Sequence, residues 1–259
     1  VGLALQELEA RVANLKRDAS FVHASFSLRP YVFDVLDWNA DKEKIETAKR
    51  FAAIKDSEAS AIYGPLVVRL VAAFERYLRA FVQEAVIAWS GKAGTFDKLP
   101  TSLAERNIAL TGKLLAAIEN PRDYLNVDPM ALVQHLSSCV PGKAGYRLSY
   151  EAFAVLVVGT TPDALEAIFR AVKIEEWWDS VAADQVLKTL LSSAKTSDAA
   201  KKAKLRLKEL SKWRNNWAHG GDEEVTLNYD QLNGACDFVS AFSKSLDTQV
   251  KKRISAASL

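Results

Sequence analysis

Methionine, cysteine and histidine are scarce in this 259-residue sequence, with one, two and three copies. The cysteines, Cys139 and Cys236, lie far apart and in no ligand-like spacing. That excludes a disulfide framework and a zinc knuckle, and leaves two thiols filling core space. Eleven glycines and seven prolines are few for this length, which argues against a turn-rich all-β chain. Long apolar runs are absent too. The longest, "AFAVLVVG" at 152–159, falls far short of the ~20 residues needed to cross a bilayer. No early stretch joins a charged start, an apolar middle and a small-residue cleavage site, so a cytoplasmic protein without membrane contact is expected. Charge of either sign is nearly balanced, 34 basic against 32 acidic residues for a net +2. There is no P-loop, no GxSxG and no Rossmann glycine pattern, so no cofactor is expected.

What fills the sequence is helix-forming material. Apolar residues make up 49% and charged residues 25%, the balance of a globular chain with a substantial core. Alanine, leucine and lysine, all good helix formers, dominate the longer segments. Leu5, Leu8, Val12 and Leu15 recur at spacings of three and four, a helical stripe of coiled-coil type. A second helix is expected from about 41 to 63, with a break or kink at Gly64–Pro65, because proline suits a first turn but not an interior. Leu66, Leu70, Ala73, Phe74, Tyr77, Leu78, Phe81 and Val82 share one face of the most apolar helix, over 66–89, with Glu75, Arg76 and Arg79 interleaved. "SGKAGTFDKLP" (90–100) reads as a loop. From 101 to 194, Pro121, Pro129, "PGKAG" and "TTP" divide the chain into shorter helices, one of them capped by Thr161 with Pro162 in its first turn. Trp177 and Trp178 are expected in the core or at a partner contact. A helix over about 197–219, closed by Gly220–Gly221, precedes a last one from near Asn228. Only "AFAVLVV" has a composition that favours strand, and it fits buried helix equally. The expected fold is all-α, a multi-helix bundle forming a single domain over 1–259. Its parts are N-terminal helices (1–64), a core helix (65–94), an inserted helical region (95–194), and the motif and C-terminal helices (195–255).

The stretch "SKWRNNWAHGGDEE" (211–224) carries the chemistry. Between Lys195 and Arg214 stand eight basic residues against two acidic ones. A solvated helix face accounts for most such runs. This run, with Lys204, Lys208 and Lys212, leads directly to His219, where a polyanion would have to be held. Asn215 and His219, four apart, share a helix face. Arg214 and His219 are about 140° apart on an ideal helix, so the terminal histidine must swing off the regular path if both are to serve one ligand. A guanidinium offers phosphate a planar fork of donors. An imidazole can take a proton from a ribose 2′-hydroxyl or give one to a departing 5′-oxygen near neutrality. RNA brings its own nucleophile, so this cleavage needs neither metal nor protein nucleophile, and it leaves a 2′,3′-cyclic phosphate and a 5′-hydroxyl. Two proton transfers against one suitable histidine point to a symmetric dimer. The Arg-x4-His spacing alone is a weak signal, and a terminal histidine also serves as a plain cap. His23 and His135 lack metal-type neighbours and read as surface or core histidines. The acids after His219 read as a solvated loop.

The string "RNNWAHG" resembles the signature of the HEPN superfamily, all-α domains with Arg-x4–6-His at the end of a helix. "LVAAFERYLRAF" (70–81), "FDKLP" (96–100) and "TTPDALEAIFRAVKI" (160–174) are similar to segments of its RiboL-PSP-HEPN or MAE-type branch. The likeness spans about 60–250. It implies a HEPN-type helical bundle and a metal-independent endoribonuclease that acts as a homodimer, a toxin or antiphage effector cutting cellular RNA, with an antitoxin or regulatory protein as partner. Carried onto the matching positions, it makes Arg214 and His219 catalytic, Asn215 the polar residue that follows the arginine, and Glu75 an acidic residue of the partner helix. Gly221 stands where toxins controlled by a nucleotidyltransferase antitoxin often have tyrosine, which weighs against that control. Other HEPN domains are non-catalytic scaffolds that bind a nucleotide or a partner protein. Those usually lose the arginine or the histidine, and both are present here.

Overall fold

A computed structural model describes residues 2–32, 34, 42–54, 56–117, 127–142, 145–220 and 226–257, with the backbone alone at 56–60. Among the described residues there is no β-strand, and the chain is an all-α bundle. In order, the helices are α1 (Leu3–Leu28), α2 (Lys42–Ala53), α3 (Asp56–Ala93), α4 (Thr101–Ala116), α5 (Pro129–Ser138), α6 (Tyr150–Phe153), α7 (Pro162–Ala171), α8 (Trp177–Ala182), α9 (Gln185–Leu190), α10 (Thr196–His219) and α11 (Tyr229–Ala256). No described helix is long and apolar enough to cross a membrane.

The periodic stripes pack as their spacing predicts. Leu5, Leu8, Val12 and Leu15 of α1 are buried, as are all eight apolar residues of the 66–82 face of α3 and Leu232, Cys236, Val239, Phe242 and Leu246 of α11. They belong to one continuous core. The α1 stripe is therefore used inside this bundle. Helix directions follow from cross-links. Ala4 donates to Glu84 at 3.0 Å and Arg69 pairs with Asp18 at 3.1 Å, so α1 runs antiparallel to α3. Lys16 pairs with Asp237 and Lys244 with Glu9, so α1 is antiparallel to α11 as well. The Tyr77 hydroxyl donates to the Ser243 carbonyl at 3.0 Å, inside the core between α3 and α11.

The ends of the later helices obey their caps. Thr161 accepts from the Ala164 N–H with Pro162 in the first turn of α7. Asn228 and Gln231 form a reciprocal capping box at the start of α11. "AFAVLVV" divides between α6, a single 3-10 turn at Ala154–Leu156 and extended backbone. Trp177 is buried and Trp178 half-buried, stacked on each other at 4.0 Å. Of the break or kink expected at Gly64–Pro65, the break does not occur. The interruption falls before Asp56, and α3 passes through both residues with Pro65 exposed inside it. Pro121, Gly221 and the acids at 222–224 lie outside the described residues.

This arrangement gathers four helix ends. His23, near the end of α1, stacks on Tyr229 at the start of α11 at 4.2 Å. Tyr63 of α3 lines the same concavity as both. Its neighbour Gly64 receives the indole of Trp217, close to the end of α10. The RNNWAHG segment is thus held at one end of the bundle.

Candidate functional site

Helix α10 is built with one apolar and one wet face. Ala199, Ala203, Leu207 and Leu210 are buried at spacings of four, four and three, and the stripe continues into Trp213 and Trp217, which pack against the core. Gly64 makes that last contact feasible, since a Cβ there would run into the Trp217 ring. The indole N–H of Trp217 is itself buried and meets no acceptor among the described residues. On the opposite side Lys208, Lys212, Asn215 and His219 are all exposed. At 100° per residue they fall within an arc of roughly 60°. The helix ends at His219 because Gly220 takes the left-handed conformation (φ 64°, ψ 54°), its N–H bonding back to the Asn216 carbonyl. A residue with a Cβ is strained there, which is the usual reason for glycine just past a helix end.

Arg214 and His219 meet. One guanidinium nitrogen, Nη1, lies 3.1 Å from His219 Nε2 and donates to Asn215 Oδ1 at 3.1 Å. The helix stays regular through His219, so the length of the arginine side chain closes the 140° that the backbone leaves open. A guanidinium only donates. In this contact Nε2 is therefore the acceptor, and the ring proton belongs on Nδ1. Arg214 is half-buried, and no carboxylate lies within ion-pair distance of it among the described residues. A cation beside an imidazole, with no acid paired to it among the described residues, suits an anionic ligand.

The other sequence-derived residues are placed differently. Glu75 pairs with Arg79 one turn away, at 3.5 Å. It lies eleven residues, about 16 Å along the helix axis, from the Gly64–Trp217 contact, and touches neither Arg214 nor His219. Lys204 is 3.0 Å from Glu166 and sits over the Trp178 ring at 4.8 Å. Trp178 donates to the same carboxylate at 2.8 Å. The hydrogen bond from Lys204 is the main reason that the Glu166 carboxyl is held below its ordinary value. Lys202 likewise bonds the carbonyls of Leu191 and Ser192. The basic run is therefore partly structural. Lys208 has no carboxylate within ion-pair distance among the described residues, its neighbour Glu209 being paired with Arg206. Sequence reading did not anticipate Gly64 and Trp217 as the pair that seats the motif. Their only signal was a glycine and a tryptophan 153 positions apart. Among the described residues no three His, Cys, Asp or Glu side chains cluster as a metal site would require.

The sequence model of the RiboL-PSP-HEPN family matches residues 36–252. Neither the curated proteins nor the solved structures yield a match. The family match takes in most of the chain, including α3, α10 and nearly all of α11, and so the chain belongs to the RiboL-PSP-HEPN family.

Proposed function

We propose that the nuclease-type, RNA-directed function associated with this family is exercised here as metal-independent endoribonucleolytic cleavage by Arg214 and His219. The observation that carries the reading is the 3.1 Å contact between the Arg214 guanidinium, which meets no carboxylate among the described residues, and the acceptor nitrogen of an imidazole. In the reaction the guanidinium turns from His219 Nε2 to the phosphate, and the freed nitrogen takes the proton of a ribose 2′-hydroxyl. The 2′-oxygen bonds to the adjacent phosphorus, the bond to the 5′-oxygen breaks, and that oxygen leaves carrying a proton. The products are a 2′,3′-cyclic phosphate and a 5′-hydroxyl. Arg214 faces the phosphoryl oxygens and stabilises the charge that grows on them, while Asn215 holds the guanidinium through Nη1. The second proton comes from His219 of another copy in a homodimer, since one chain offers a single histidine here. Lys208 and Lys212 continue the exposed face of His219 and receive neighbouring phosphates; Lys204 joins them only by leaving Glu166. Glu75 remains outside the reacting pair, a partner of Arg79. In a cell such an enzyme acts as a toxin or antiphage effector in the cytoplasm, restrained by a regulatory protein.

The test is incubation of the purified chain with single-stranded RNA in EDTA. Cleavage that persists in EDTA, gives cyclic phosphate ends, and drops by about 10²–10⁴-fold in His219→Ala supports the reading. An intact, folded protein that cuts no RNA overturns it, and leaves a helical scaffold.

A further inference from the structure

A second cationic feature lies outside the motif. Arg11 and Asn14 of α1, with Arg69, Ala72 and Arg76 of α3, line an open concavity of about 290 Å³. The two helices run antiparallel, and spacings of three on α1 and of three and four on α3 turn these residues to a common seam. Ala72, between the two arginines of α3, has almost no side chain, and this keeps the seam hollow. Its charge is lopsided. Asp18 pairs with Arg69 at 3.1 Å, but neither Arg11 nor Arg76 meets a carboxylate among the described residues. Glu75, the nearest acid in sequence to Arg76, is paired with Arg79. With Arg69 already paired to Asp18, Arg11 and Arg76 leave two positive charges at one small hollow, a setting that favours an anion. Along α3, Arg69 is about 7.5 Å and Arg76 about 18 Å from Gly64, so the groove leads away from the end of the bundle where Trp217 seats the motif.

We propose that this groove holds backbone phosphates of the RNA strand, as a contact separate from Arg214 and His219. The ligand class follows from the lining. Guanidiniums match phosphate oxygens, and no aromatic ring is present on which a base could stack. A free nucleoside polyphosphate offers the same phosphate chemistry, but its base would find no pocket there. The inference rests on the reading of RNA as substrate, and it predicts affinity without sequence preference.

The experiment measures binding of a short fluorescent RNA in EDTA over a range of salt, with His219→Ala as the starting chain so that nothing is cut. Adding Arg11→Gln and Arg76→Gln is expected to weaken binding about tenfold. It should also make the slope of log affinity against log salt shallower by about 1.4, two phosphate contacts on a single strand. Arg17→Gln with Lys252→Gln, exposed positions outside the groove, removes the same charge and should change affinity by no more than about twofold. Equal losses in the two doubles overturn the proposal, as does no RNA binding by the starting chain. ATP binding that the groove double abolishes while RNA affinity stays unchanged also overturns it, in favour of a free polyphosphate. Circular dichroism checks that each double is folded. If the groove double weakens RNA binding but the wild type never cleaves, the nuclease reading fails and the groove stands. If cleavage is intact and RNA affinity indifferent to the double, only the groove fails.

Discussion

At the scale of single residues, the decisive contact joins two side chains that helix geometry holds about 140° apart. A lysine at 214 keeps the charge but loses the planar group that reaches His219 and Asn215 together. Arg214→Lys is expected to lower cleavage by about 100-fold or more while changing RNA affinity by about twofold; single-turnover rates with labelled RNA check it, and a near-normal rate counts against a specific role for the guanidinium. The same scale separates the two thiols. Cys236 is buried and its thiol is pushed up to about 12 by that burial. Cys139 is half-buried, and its thiol is also raised by burial. Iodoacetamide at pH 8 should therefore modify Cys139 first in the folded protein, as peptide mass spectrometry would read. The residue types of the site were legible in the sequence; their contacts were not. Lys204 reads as a phosphate ligand until α7 brings Glu166, 38 residues earlier, within 3.0 Å. Local sequence carries no record of such a neighbour.

Among the elements, α3 shows how tertiary packing overrides a local rule. Proline inside a helix removes a backbone hydrogen bond and crowds the preceding turn, so Gly64–Pro65 reads as a break or a kink. The helix continues because its flanks are anchored by neighbours, Tyr63, Leu66 and Val67 being buried. Gly64 is needed for a different reason, to admit Trp217. Gly64→Ala forces the indole aside and is expected to destabilise the protein by about 1–3 kcal/mol, and to lower cleavage by shifting the motif. Trp217→Phe keeps a ring in the same place and removes an indole N–H that is buried without an acceptor, so stability should stay level or rise. Thermal unfolding of both variants is the check, and a stable Gly64→Ala protein would show that the contact is not tight. By contrast α11 was readable from its start. Asn228→Ala removes one half of the capping box and should cost about 1 kcal/mol, measured by urea unfolding.

The whole molecule raises a question of stoichiometry. Transferring the 2′-hydroxyl proton and protonating the 5′-oxygen are separate events, and the described end of the bundle places one imidazole, His219, against Arg214. His23, the other histidine near that end, is stacked on Tyr229 instead. If two copies of His219 share one scissile phosphate across a two-fold axis, an inactive chain poisons its partner. In an equal mixture of wild type and His219→Ala that has fully exchanged subunits, about one quarter of the dimers hold two intact chains. Cleavage should then fall to about a quarter of that of the same total protein as wild type. Independent active sites, one per chain, would leave about a half. Measuring cleavage across the full range of mixing ratios separates a squared dependence on the wild-type fraction from a linear one, and a straight line would mean that each chain completes both proton transfers by itself.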